Sequence, residues 1–246
     1  MRWNVRKTMR WVFYSITVLA LTVVVAPLVF LIAVSVLTWS KLPDLDPLTA
    51  DGSLIQEIGE ARREIVRIEN VPDMLKKAIL AAEDERFYEH GGIDLPALFA
   101  SIRGDRVRMR GSTITTQVAR NLFMTQERTI NRHLYDFLLV LKIERNLSKD
   151  QILGIYINQI FLGQRAYGFE AAAQTYFGKS LGDLSLAEMA MLAGLPKGPS
   201  ILNPIVNPAG AKKRRNYVLE RMRDLGYIDE TAYQTALEEP LQTTGR

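Results

Sequence analysis

The 246-residue chain contains no cysteine. That absence excludes a disulfide framework, a thiolate metal site, an iron–sulfur cluster and a cysteine nucleophile, although it does not fix the compartment. Histidine is scarce: His90 and His133 are too few for a histidine-rich metal centre. Neither GxxxxGK[ST] nor GxGxxG occurs, which argues against ordinary nucleotide chemistry. Internal repeats and low-complexity tracts are missing as well. Residues 1–10 hold no acid, and Arg2, Arg6, Lys7 and Arg10 there account for the whole formal net charge of +4. The remainder carries 27 bases against 27 acids. A nucleic-acid-binding domain keeps its positive charge in the folded part, so no nucleic-acid partner is expected.

Charge is also missing from Trp11 to Ser40, a run of 30 residues of which 23 are hydrophobic. At about 1.5 Å per helical residue the run covers a bilayer core of roughly 30 Å with slack for tilt. It is too long for the apolar region of a cleaved signal peptide, and no small-x-small site follows it. Trp11 and Trp39 stand at its two ends, where amphipathic rings favour the membrane interface. Pro27 is expected to kink the helix. The basic flank lies N-terminal, so residues 1–10 read as a cytoplasmic tail, 11–40 as a transmembrane signal anchor and 41 onward as the outer side. Residues 41–52 form a polar, proline-bearing linker.

The rest, 53–246, has the composition of a globular domain and a mainly helical pattern. Leu54–Ile58 and Glu64–Ile68 read as two short strands of a hairpin around Gly59. Asp73 is a candidate cap for a helix running toward Gly91-Gly92. Ser148 with Gln151, and Ser185 with Glu188, fit the capping box. Asn207 before Pro208 opens a helix expected to stop at Gly226, and Asp229 opens a last one ended by Pro240.

Leu75, Ile79, Glu83 and Phe87 are spaced by four and so share one helical face. A carboxylate inside an apolar stripe is desolvated, which suits it to exchange a proton near neutrality. The alternative is a carboxylate at the stripe's edge, paired with Lys76 or Arg86. The longer string shifts the balance toward the first. Glu83-Asp84-x-x-Phe87-x-x-His90-x-Gly92 carries five fixed positions, a pattern that chance supplies at about one in three million starting points. Further on come Gly111-Ser112-Thr113-Ile114-Thr115-Thr116-Gln117, then Lys149-x-x-Ile152-Leu153-x-x-Tyr156-x-Asn158. A last run extends from Leu186-Ala187-Glu188 through Leu192-Ala193-Gly194-Leu195-Pro196-Lys197 to Pro199-Ser200. In order and spacing these strings resemble the signatures of the peptidoglycan glycosyltransferases, the lipid II polymerases of glycosyltransferase family 51. The likeness covers about residues 40–240.

That resemblance implies a lysozyme-like helical large lobe with a small jaw lobe behind one N-terminal transmembrane helix. It implies a reaction in which the GlcNAc 4-hydroxyl of lipid II attacks the MurNAc anomeric carbon of an undecaprenyl-pyrophosphate-linked glycan. Glu83 would be the base, and Arg120 and Arg128 would meet the pyrophosphate; Arg120 stands where the family uses lysine. Asp136 would assist, with Mg or Mn as a conceivable divalent cation and no obligatory cofactor. Asp84, Phe87, His90, Ser112, Thr113, Thr115, Gln117, Arg132, Lys149 and Asn158 complete the implied substrate cleft. Several of these positions have a plainer reading. Ser112, Thr113 and Thr115 also look like a helix N-cap, His90 like a buried, satisfied ring, and Tyr156 and Asn158 like core hydrogen-bonding groups.

The chain departs from the pattern in places. The RKxxE signature becomes Arg132-His133-Leu134-Tyr135-Asp136, so lysine is replaced by histidine and glutamate by the shorter aspartate. Arg132 and Asp136 could equally be an i,i+4 ion pair on an exposed face. Thr116 stands for a glutamine. No serine precedes a lysine by three and no Lys-Thr-Gly occurs, so the chain reads as a monofunctional enzyme or a piece of a longer one. Two basic patches remain. Arg103, Arg106, Arg108 and Arg110 sit in and just before a Gly104–Gly111 stretch, beside the apolar Leu95, Leu98, Phe99 and Ile102 of what the resemblance implies is a membrane-dipping jaw. Lys212, Lys213, Arg214, Arg215, Arg221 and Arg223 read as a solvated helix face. The expected partners are lipid II, its growing glycan, membrane lipids, and cell-wall synthesis or division proteins. Two rival functions are a lipid II-binding membrane scaffold of weak activity and a lytic transglycosylase that cuts the polymer.

Overall fold

The computed structural model describes residues 65–102, 112–123 and 130–244, with 9, 13–14, 25, 28–30, 32–40 and 42 nearer the N-terminus. The chain divides into two compact units, residues 1–43 with 127–139, and residues 44–126 with 140–246. The described residues are mainly helical, as the pattern predicts. The helices are α1 (Asp73–Glu83), α2 (Leu95–Ile102), α3 (Ile114–Phe123), α4 (Ile130–Asn146), α5 (Lys149–Gln159), α6 (Phe169–Phe177), α7 (Leu186–Gly194), α8 (Pro208–Asp224) and α9 (Glu230–Glu238). One isolated antiparallel bridge, Phe161 to Tyr167, is the only β pairing among the described residues.

In the first unit, positions 32–39 are helical, and Phe30, Ile32, Val36 and Leu37 are exposed. No helix among the described residues is long and apolar enough to cross a membrane. Half of the 11–40 run lies outside them, as do the linker apart from Leu42 and the basic stretch 103–111.

The second unit is built around α7. Ala187, Met189, Ala190, Met191, Leu192, Ala193 and Gly194 are all buried, leaving almost no polar face, and a helix apolar all round belongs inside. It packs between α1 and α8, which also touch each other. On α1, Leu75, Ala78, Ile79, Leu80, Ala81 and Ala82 are buried. Beside this group, α3 lies against α5. Four of the predicted caps hold. Ser148 and Ser185 form complete capping boxes, Asn207 accepts from the Gly210 N–H at 2.9 Å, and Asp229 from that of Ala232 at 2.8 Å. α8 ends at Asp224, two residues before Gly226, whose φ of +69° fits the expected stop.

Three expectations are corrected. Asp73 is not a cap: Pro72 occupies that position, and Asp73 is the first helical residue, 3.0 Å from Lys76. The helix ends at Glu83 instead of running to Gly91-Gly92. Asp84 leaves the helical range at φ −159°, ψ 79°, because its carboxylate is bonded to His90 and to the start of α3. A single 3₁₀ turn, Phe87–Glu89, follows. Of the expected hairpin, Leu54–Ile58 and Glu64 lie outside the described residues, and Ile68 opens a 3₁₀ turn. Val66 still bonds as a strand residue would, but to a side chain: the Asn158 amide accepts its N–H and donates to its carbonyl, both at 2.9 Å.

Candidate active site

Glu83 sits on the last residue of α1, at the edge of the apolar core, with its side chain 12% exposed. Two groups from distant parts of the chain meet its carboxylate. The Gln117 side-chain amide donates to Oε2 at 2.9 Å, and the Arg214 guanidinium lies 3.6 Å from Oε1. Both favour the ionised carboxylate, which opposes the desolvation expected from the stripe.

Arg214 comes from the stretch read as a solvated face, and that reading is corrected. Lys212 and Lys213 are exposed, but Arg214 is 14% exposed and Arg215 is wholly buried. Arg215 donates to the carbonyls of Glu239 at 2.7 Å and Leu237 at 3.1 Å, and burial pulls its pKa down. Arg221 pairs with Glu85 and Asp224. Arg214 reaches Glu83 by crossing Gly194, where it donates to the carbonyl at 3.2 Å. A Cβ at position 194 would stand 2.9 Å from Arg214 Cγ, so the absent side chain opens the path. The hint in the sequence was this glycine in the final signature.

Asp84, the residue after Glu83, pairs with His90. Asp84 is 4% exposed. It meets His90 Nε2 at 2.9 Å and accepts the Ile114 N–H at 3.0 Å. A buried charge is thereby satisfied, and the first free N–H of α3 gains an anionic acceptor. Thr113 caps the same helix: its hydroxyl accepts the Thr116 N–H at 3.1 Å and donates to the Gly92 carbonyl at 2.6 Å. Thr116 turns its own hydroxyl back onto the Thr113 carbonyl. Ser112, half-buried, precedes the cap. These contacts bring the first and second signatures together, and they set Gln117 one turn into α3.

A second cluster lies behind the first. Phe87 is wholly buried, edge-on to Tyr88 and His90, with the Lys149 ammonium 4.4 Å from its ring centre. Lys149 donates to Glu144 at 2.8 Å, and Thr115, also wholly buried, donates to the same oxygen. Tyr156 is fully buried and its hydroxyl has no hydrogen-bond partner among the described residues. Burial first, then the Glu83 charge, pushes its pKa well up, with Arg214 opposing. Asn158 is engaged by Val66 and by the Gly154 carbonyl at 2.8 Å.

Residues 51–223 match the model of the Transglycosylase family. The chain belongs to the transglycosylase family. It is 51% identical over 198 residues to penicillin-binding protein 1A of Pseudomonas aeruginosa, covering 79% of this chain and 24% of that protein. To penicillin-binding protein 1A of Neisseria flavescens it is 49% identical over 228 residues, covering 86% and 29%. It is also similar to the crystal structure of penicillin-binding protein 1A from Haemophilus influenzae, at 34% identity over 76% of this chain and 19% of that one, with a TM-score of 0.47. The chain spans about a quarter of the length of the curated relatives it matches.

Within this transglycosylase chain the remaining expected site residues are less gathered. Arg120 is exposed in the last turn of α3, three residues beyond Gln117 and so on a neighbouring face. Arg128 lies outside the described residues, and of Arg132 and His133 only the helical backbone is described. Asp136 is half-buried on the part of α4 that belongs to the first unit. Its neighbour Tyr135 has a raised pKa, from burial first and then from the Asp136 charge. Among the described residues no three His, Asp or Glu side chains gather as a metal site requires.

Proposed function

We propose that the chain polymerises lipid II into peptidoglycan glycan strands, acting on the outer face of a bacterial inner membrane to which residues 11–40 anchor it. The observation that carries this reading is the Glu83 carboxylate, nearly buried at the end of α1 and contacted by Gln117 and Arg214. A general base must be aimed, and an amide donor and a guanidinium on the same carboxylate orient it and favour its charged form.

In the proposed step Glu83 takes the proton of the acceptor GlcNAc 4-hydroxyl as that oxygen attacks the donor MurNAc anomeric carbon. The anomeric C–O bond to pyrophosphate breaks, undecaprenyl pyrophosphate departs with the electron pair, and the new β-1,4 bond forms with inversion. Charge developing on the pyrophosphate calls for fixed cations. Arg120 and Arg128 take that role, with arginine gripping phosphate through two parallel hydrogen bonds. Asp136 and Arg132 would assist there. The described residues do not form a protein-built metal site. A divalent ion near Asp136 would take its further ligands from phosphate and water, as Mg commonly does. The fold proposed is a lysozyme-like large lobe over 53–246, with the exposed Leu95 and Phe99 of α2 in a jaw that meets membrane lipid.

The test is to incubate the full-length protein in detergent with labelled lipid II and resolve the products by size, with Glu83→Gln alongside. A ladder that collapses on muramidase treatment and is missing from the variant is the expected result. Lipid II retained without polymer would make the chain a scaffold. Short fragments released from finished cell wall would make it a lytic enzyme.

A further inference from the structure

Glu144 belongs to none of the matched signatures, yet three of them converge on it. Its side chain, 11% exposed, ends in an oxygen that accepts from the Thr115 hydroxyl and, at 2.8 Å, from the Lys149 ammonium. Lys149 in turn rests on Phe87. From the first signature, Gly92 lies flat against the same side chain. Its φ is +84°, and a Cβ there would stand 2.9 Å from Glu144 Cγ and 2.5 Å from Val140. The first turn of α3 is therefore held on three sides: Asp84 on the Ile114 N–H, the Gly92 carbonyl on Thr113, and Glu144 on Thr115. Two residues beyond Thr115, Gln117 meets Glu83.

We propose that Glu144 is a positioning residue for the Glu83 base, clamping the α3 start through Thr115 so that Gln117 is held on the carboxylate, while its charge balances the half-buried Lys149. The inference rests on Glu83 being the base of the proposed polymerase. A half-buried ammonium and a buried hydroxyl both need an acceptor, and no described neighbour other than Glu144 is seen to accept from either. A clamp of this kind acts on turnover more than on binding, because a small displacement near the reacting atoms costs rate steeply.

The experiment uses the full chain in detergent with labelled lipid II. Glu144→Ala should lower kcat roughly 10- to 100-fold with KM within about twofold. Glu144→Gln, which keeps an acceptor oxygen for Thr115, should recover part of the loss. Thr115→Val removes the single hydrogen bond at nearly constant shape and should resemble the alanine variant, so a failure of Glu144→Ala to fold does not remove the test. Combining Thr115→Val with Gln117→Ala should add little to the larger single loss, since both act through one contact. Amide exchange across 112–118 should quicken in Thr115→Val and Glu144→Gln, a readout that needs no turnover. Losses that multiply in the double variant, or unchanged kcat and exchange in folded single variants, would overturn the clamp. If the wild type makes no polymer, the proposed function fails, and the exchange measurement alone decides the clamp: faster exchange supports it and unchanged exchange refutes it.

Discussion

Replacing Asp84 by alanine should cost the fold about as much as any single side chain in the second unit. The carboxylate is 4% exposed and holds two donors, His90 at 2.9 Å and the Ile114 N–H at 3.0 Å. A hydrogen bond to a charged group contributes about 1.5–3 kcal/mol, and deleting the acceptor strands both donors. The two together give about 3–6 kcal/mol, against a typical domain stability of about 5–15 kcal/mol. Asp84→Asn keeps one acceptor oxygen but must turn an NH₂ toward the other donor, so roughly half of that loss is expected. The assay is chemical denaturation of the full chain in detergent, followed by circular dichroism, with amide exchange at Ile114 as the local reporter. A loss below about 1 kcal/mol in the alanine variant, with Ile114 exchange unchanged, would refute the account of Asp84 as the tie between α1 and α3.

Three further outcomes are open to direct measurement. Arg214→Met should slow polymerisation by about tenfold or more, and Arg214→Lys should recover little, since one ammonium replaces a planar fork that reaches both Glu83 and the Gly194 carbonyl; equal wild-type and Arg214→Met rates on lipid II would sink the idea. Arg215→Ala should destabilise the chain by about 3–5 kcal/mol, because two carbonyls at the end of α9 lose a charged donor; a denaturation midpoint within error of wild type would contradict it. Tyr176 donates to the Leu162 carbonyl at 2.8 Å, and burial pushes its pKa up to about 12. The fold favours the protonated phenol, so its contribution is complete below an unfolded value near 10 and is lost as pH rises through about 12. Alkaline titration of phenolate absorbance should show one fewer late-titrating group in Tyr176→Phe.

Local signals in the sequence carried the second unit well where the physics is local. Ser148, Ser185, Asn207 and Asp229 cap the helices they were expected to cap, because a cap is decided within four residues. The end of α1 was not legible, since helical spacing continues to Phe87 while the chain breaks at Asp84 for the sake of His90 and Ile114, 6 and 30 residues away. The same limit hid Arg214 and Glu144. Charge counting sees a basic run on α8 and assigns it to solvent, but burial of Arg215 under α9 and passage of Arg214 over Gly194 depend on neighbours that no window contains. Glu144 had no motif to mark it; its distance of five residues from Lys149 becomes meaningful only once the chain turns at Ser148. Phe87 shows the converse. It was placed on the right buried surface for the wrong reason, reaching the core from a 3₁₀ turn instead of a helix face.

The shortened acid at position 136 separates two descriptions of α4. If Asp136 and Arg132 merely face each other one turn apart, lengthening the side chain to glutamate changes stability by less than about 0.5 kcal/mol and leaves turnover alone. If the carboxylate serves the departing pyrophosphate, Asp136→Glu adds one methylene, about 1.5 Å of reach, toward a reacting centre where 1 Å is worth about 100-fold. Aspartate at this point then works below its limit. The variant should raise kcat, by up to about tenfold if the backbone of α4 already compensates for part of the shorter arm, with KM little changed. The proposed function favours the second description, because a half-buried carboxylate whose charge raises the pKa of Tyr135 is not fully screened by water. Single-turnover rates of wild type and Asp136→Glu on labelled lipid II, with melting temperatures recorded beside them, distinguish the two. A faster variant of unchanged stability places Asp136 in the chemistry. An equal or slower rate from a folded variant, in a preparation whose wild type makes polymer, leaves it a partner of Arg132.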